Sequence, residues 1–254
     1  MAADVGLIDW TAPWLAPWHE PGQGVAADWA AGRHLPEALN AGGPCPVRFV
    51  AQDRLPAGIA YEAFIADTGC VPTREHLHDF FNGLVWLRFP RAKGALNRLQ
   101  AAELAARGVG PVRGPVRDAI TVLDENGALL WAPDVLWDAL AARQWGRVFG
   151  PLRPCWARSQ LVVFGHGALE QLVRPFKSIT VHVWRLPDRW TDPHGLDAAF
   201  AATLQATRLA AKPFVPLPVL GVPGWWPANE DPAFYDDPQV FRPARAGAAA
   251  RPPA

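Results

Sequence analysis

The sequence predicts an α+β protein: a helix-rich single domain over 1–243, with a small sheet and long irregular segments rich in proline and tryptophan. Three observations predict it. From Leu77 to Leu87 apolar residues recur at spacings of three and four, the stripe by which a helix packs on a core. Short runs of β-branched and aliphatic residues bounded by turn formers recur near 119–131, 161 and 179, which gives few and short strands. Prolines interleave with tryptophans near both ends, where long regular elements are not expected because proline removes a donor and fixes the backbone.

The first 60 residues read as an irregular arm clamped to the core by Trp10, Trp14, Trp18 and Trp29. Within and after it, Val47–Val50 reads as a short strand and Tyr61–Ala66 as a helix. Thr73 is placed to cap the helix that follows, with Glu75 in its first turn, where the dipole favours a negative charge. Pro90 ends it, and a second helix runs from about Arg91 to Arg107 with Gly108 as its stop. Pro111–Pro115 reads as a loop. Ala119–Leu123 and Ala128–Trp131 read as a hairpin around Asp124-Glu125-Asn126-Gly127, whose carboxylates could hold a metal but are taken as solvated turn formers. Pro133 opens a helix to about Val148. Leu161–Phe164 is a buried strand, then Gly165-His166-Gly167 turns into a helix at Ala168–Val173. Ile179–Trp184 alternates as a strand, and Leu196–Ala211 is an alanine-rich helix. From Lys212 the chain is extended and proline-rich, and the tail 244–254, lacking anchors, is expected to be disordered.

The densest polar cluster lies at Thr73–Leu99. On a helix Glu75, His78, Asp79 and Asn82 share one side, while His76 and His78 diverge by roughly 200° and cannot grip one ion. His78 is therefore selected. Arg91 and Lys93 bring positive charge near that face, either as solvated surface or as an anion site. His166, on a glycine-flanked turn between strand and helix, occupies the place of a nucleophile without being one. G-x-S-x-G is absent and Ser159 and Ser178 are the only serines, which argues against serine hydrolase chemistry. Near the end, Trp225, Trp226, Asn229, Glu230 and Asp231 form a second cluster, suited to a sugar or peptide site or to an ordered loop over the core.

Composition excludes several classes. Twenty-four basic and twenty-four acidic residues balance to zero, against the positive footprint of a nucleic-acid binder. Cys45, Cys70 and Cys155 are odd in number and widely spaced, which fits neither a disulfide framework nor a zinc ribbon. Nothing reads as a signal peptide or a bilayer span, so a cytoplasmic protein without membrane contact is expected.

Three stretches, 78–93 (H-D-F-F-N-G-L-V-W-L-R-F-P-R-A-K), 164–170 (F-G-H-G-A-L-E) and 217–237 (L-P-V-L-G-V-P-G-W-W-P-A-N-E-D-P-A-F-Y-D-D), together resemble the bacterial family known as domain of unknown function 3025. The resemblance spans about 40–243 and places an alanine or similar small residue where Gly167 stands. It implies no activity, substrate or cofactor.

Two functions are carried forward. In the first, a metal-assisted hydrolase, His78, Asp79, Asn82 and His166 form the catalytic group. His78 and His166 ligate a divalent metal with Glu230 or Asp231, and Arg91, Lys93, Trp225, Trp226 and Asn229 bind substrate. In the second, a non-catalytic module recognises a peptide, a small molecule or an anionic partner through the tryptophan- and proline-rich segments and the basic cluster.

Overall fold

The computed structural model describes residues 2–108 and 114–244. The expected tail at 244–254, apart from Ala244, and most of the loop at 111–115 lie outside them. In chain order the elements are α1 (His19–Ala30), α2 (Leu35–Ala41), β1 (Arg48–Ala51), α3 (Tyr61–Thr68), β2 (Cys70–Thr73), α4 (Leu77–Arg88), α5 (Pro90–Arg107), α6 (Pro115–Asn126), β3 (Gly127–Trp131), α7 (Asp134–Ala141), α8 (Trp145–Val148), β4 (Gln160–Val163), α9 (His166–Gln171), β5 (Thr180–Arg185), α10 (Pro193–Thr203), α11 (Ala206–Ala210) and β6 (Val215–Pro218). This is the α+β class that the periodicity predicts. No helix among the described residues is long and apolar enough to cross a membrane.

The main sheet has the order β4-β3-β5-β6. β3 runs parallel to β5, and the outer pairings β3–β4 and β5–β6 are antiparallel. β1 and β2 form a separate parallel pair, in which Phe49 stands opposite Val71.

The expected strand at Ala119–Leu123 is the second half of α6. Val116, Ala119, Ile120 and Leu123 are buried at helical spacing, and that packing overrides the β-branched content of the segment. Only β3 of the expected hairpin exists, and its partners come from 160–163 and 180–185. Asp124 and Glu125 therefore stand on the last turn of a helix, not in a hairpin turn.

The first 60 residues are more regular than expected. The helices α1 and α2 fit between the prolines because Pro21 and Pro36 fall near helix starts, where a missing N–H is harmless. Trp14, Trp18 and Trp29 are buried; Trp29 stacks on Phe80 with ring centroids 5.7 Å apart, and Trp18 tilts against Phe89. The helix expected from Pro133 to Val148 is split into α7 and α8 at Arg143, whose φ is +51°. The alanine-rich helix is likewise split, into α10 and α11.

Thr73 is not the cap of α4. It closes β2 with its hydroxyl donating to Val71 O, and the cap is His76, whose Nδ1 accepts from the His78 amide. Phe80, Phe81, Leu84 and Val85 are fully buried, each contributing about 1.5–3 kcal/mol by removal from water. After the break at Phe89–Pro90, α5 receives a cap from another element. Asp197 of α10 accepts from the amides of Arg91 and Ala92 at 3.0 and 2.9 Å.

Candidate metal centre

Two chain junctions bring the polar groups together. α6 ends at Asn126 and passes into β3 through Gly127, while β4 passes into α9 through Gly165. The amides of Phe164 and Gly165 both donate to Gly127 O, so the junctions lie backbone against backbone. A Cβ on Gly165 would stand 2.5 Å from Glu125 and Asn126 backbone atoms, which is why this position takes glycine. The close approach sets Asp124 and Glu125 beside His166, the first residue of α9. α4 packs against α9. His166 and Glu170, four residues apart on α9, thereby bracket His78 from the first turn of α4.

The distances follow from that bracket. His78 Nδ1 lies 2.9 Å from Glu170 Oε2, and His78 Nε2 lies 3.0 Å from His166 Nε2. Glu125 Oε1 is 3.9 Å from His78 Nε2 and 3.7 Å from His166 Nε2. Ligand atoms from His78, Glu125 and His166 all lie within 4.8 Å of one another. His166 is buried, whereas the side chains of His78 and Glu125 are 26% and 38% exposed, so the cluster opens to solvent on one side.

The network behind it is continuous. Lys93 is buried and donates to Asn82 Oδ1 at 2.8 Å and to Asp124 Oδ1 at 2.6 Å, and Asn82 Nδ2 donates to the Tyr61 hydroxyl. Asp124 Oδ2 in turn faces His166 Nδ1 at 3.9 Å. Burial pushes the His166 imidazole down to about 4, helped by the charges of Lys93 and His78 and opposed by Asp124. Its ring is neutral at pH 7, the form that ligates a metal. Burial pushes the Glu125 carboxyl up; the charge on His78 opposes this and Asp124 reinforces it. Burial also pushes Asp124 up, but Lys93 and the two imidazoles outweigh it and hold that carboxyl below its ordinary value.

The tautomers are constrained as well. A carboxylate at His78 Nδ1 calls for an Nδ1–H donor, which leaves a lone pair on His78 Nε2. At His166, Nδ1 has no hydrogen-bond partner and its nearest carboxylate is Asp124. A proton on Nδ1 faces that carboxylate favourably, and the two Nε2 atoms then meet at 3.0 Å across either a proton held by His78 or a cation. A proton on Nε2 joins the rings and leaves the buried Nδ1 lone pair directed at an anion. The surrounding charge favours the first arrangement.

The other residues singled out from the sequence fall elsewhere. Asp79 is buried and accepts from the Arg74 amide, Nε and Nη2, fixing the turn between β2 and α4. Asn82 is one step behind the cluster, on Lys93. Arg91 is exposed, and its amide serves Asp197. Glu230 pairs with Arg153 at 2.8 Å and Asp231 caps a short 3-10 turn through Ala233 N, so neither belongs to the His78–His166 cluster. The carboxylate in their place is Glu125. Asn229 is fully buried and staples its own loop through Leu220 O and Val222 O, which leaves it no access to a ligand. Trp225 tilts against Trp14 and lines a separate cavity of about 870 Å³ with Pro13, Pro17, Trp156 and Trp190, while Trp226 is half-buried against the core. Cys70 opens β2 with its thiol toward Thr68 O.

The sequence does not single out Glu170, and it offers Glu125 as a metal ligand only to set it aside as a turn former. Glu170 carried a signal, the four-residue spacing from His166. Glu125 had one only if 115–126 was read as helix.

Fold and site together define an α+β protein with two histidines and a carboxylate gathered at the ends of three helices. The chain belongs to the family described as "Protein of unknown function (DUF3025)", whose model matches residues 47–245. No curated protein and no solved structure matches the chain.

Proposed function

We propose that this protein is a metal-dependent enzyme of hydrolase type, with one divalent cation held by His78 Nε2, His166 Nε2 and the Glu125 carboxylate. The observation that carries the reading is the approach of the two Nε2 atoms to 3.0 Å with a carboxylate oxygen within 3.9 Å of both. Metal bonds near 2.1 Å in tetrahedral geometry separate ligands by roughly 3.4 Å, so the cluster already has the span of a coordination sphere. Two imidazoles and one carboxylate suit zinc, iron, manganese or cobalt and leave a position for water or substrate. Such a metal supplies activated water near neutral pH and polarises a carbonyl or phosphoryl oxygen. The chain's own residues prepare the site: Glu170 fixes the ring and tautomer of His78, and Asp124, held by Lys93, faces the far nitrogen of His166.

The test is metal content by elemental mass spectrometry on untagged protein, for wild type, His78→Ala, His166→Ala and Glu125→Gln. Near one equivalent in the wild type, with loss in both histidine variants and at least a tenfold weaker site in Glu125→Gln, supports the reading. It would then be followed by a screen of ester, amide and phosphoester substrates. Folded wild type that takes up no zinc, iron or manganese removes it. The second reading, a module that binds a peptide, then remains, supported by the tryptophan- and proline-lined cavity around Trp225.

A further inference from the structure

A second, smaller cavity of about 150 Å³ lies against the cluster among α3, α4, α5 and α6, and Glu125 lines it. A group bound in the cavity therefore touches a side chain of the metal centre. The volume is that of about five waters, enough for a compact head group and too small for a ring system with substituents.

The walls carry three carboxylates, Glu62, Asp124 and Glu125, against one lysine. Lys93 lines the cavity, but its ammonium sits between Asn82 Oδ1 and Asp124 Oδ1, so its charge is matched by Asp124. Glu125 faces the two histidines of the metal centre, so Glu62 is the lining carboxylate that no cation answers, its oxygen meeting only the neutral Gln100 amide. One donor of each lining amide is committed to Glu62. Gln100 Nε2 donates to Glu62 Oε1 at 2.6 Å and Asn97 Nδ2 donates to Glu62 O at 2.9 Å, so each amide keeps its carbonyl and one further N–H. The Tyr61 ring adds aromatic surface, on which a cation is better accommodated than an anion, while the Trp86 ring already carries the Lys93 ammonium 5.4 Å from its centre. The unanswered Glu62 charge, the amide carbonyls and the Tyr61 ring in a small volume together describe a receptor for N–H donors on a positive group.

We propose that this cavity binds the substrate's head group and that the head group is a compact primary ammonium, presented so that the rest of the substrate extends past Glu125 to the metal. The proposal takes its catalytic meaning from the metal reading, but the binding it describes needs no metal.

The experiment is titration calorimetry on the full chain with three probes of equal size: n-butylammonium, n-butyramide and butyrate. Each preparation is also assayed for metal. The expected result is n-butylammonium at least tenfold tighter than either other probe, a fivefold or greater loss in Glu62→Gln, and retention in wild type stripped of metal by a chelator. Glutamine at 62 keeps an acceptor for Gln100, so the variant removes charge with little change of contact. Equal binding of the three probes, no binding of n-butylammonium, or an unchanged affinity in folded Glu62→Gln overturns the proposal. Metal without ammonium preference sinks the head-group assignment alone. Ammonium preference without metal sinks the metal reading and leaves this one standing.

Discussion

Glu170 is not among the three proposed ligands and yet decides what His78 can offer. Its oxygen at Nδ1 selects the tautomer whose Nε2 is free. Glu170→Ala is therefore expected to weaken metal binding by about 10–100-fold while the fold persists. Glu170→Gln, whose amide oxygen still accepts from Nδ1, recovers part of the loss. Competition against a chelator of known affinity measures both, and equal affinity in wild type and Glu170→Ala would show that the ring is fixed by packing alone. His78 and His166 were legible in the sequence because histidines are few and both sit beside breaks in regular structure. Lys93 was legible as a charge but not as a buried one. Nothing local says that a lysine on a long helix will find Asn82 eleven residues back and Asp124 thirty-one ahead.

Among the elements, the crossing of the α6–β3 and β4–α9 junctions is what the site depends on. Gly165→Ala would press a Cβ on backbone atoms of Glu125 and Asn126, which cannot step aside, and should cost about 1–3 kcal/mol in urea unfolding. Gly167→Ala meets the end of the Glu125 side chain first, at 2.6 Å, and a carboxylate can swing. Its stability loss should be the smaller of the two, with the change appearing in metal affinity. A Gly165→Ala protein as stable as wild type would mean that the two junctions are looser than drawn. The helices α3, α4 and α5 were legible from apolar spacing and from Pro90 and Gly108. α6 was not, because Ala119–Leu123 satisfies strand preference locally, and only the sheet and helices packed on Val116, Ile120 and Leu123 decide for helix.

For the whole molecule, acid should weaken the fold partly through His182 on β5. Its ring packs edge-on to Phe214, its Nδ1 is buried without a hydrogen-bond partner, and burial holds its pKa below the ordinary 6.5. As pH falls below about 6.5 the unfolded chain takes up this proton before the folded one does, so stability decreases with falling pH. In urea titrations at pH 7.5 and 5.5, His182→Leu should show a smaller drop than wild type. An unchanged drop would assign the acid sensitivity to other groups.

The family match begins at residue 47, but the turn that delivers His78 is held from before that point. Glu75, three residues ahead of His78, receives the Trp29 indole N–H at 2.7 Å and the Leu35 amide at 3.0 Å, and Trp29 lies flat on Phe80. A chain severed in the 42–46 connection should thus behave as two complementing fragments. The larger piece alone would expose Phe80 and Leu84 and aggregate. Adding back the first forty residues as a separate peptide would restore both solubility and the imidazole pair, because what that peptide donates is one wall of the interior.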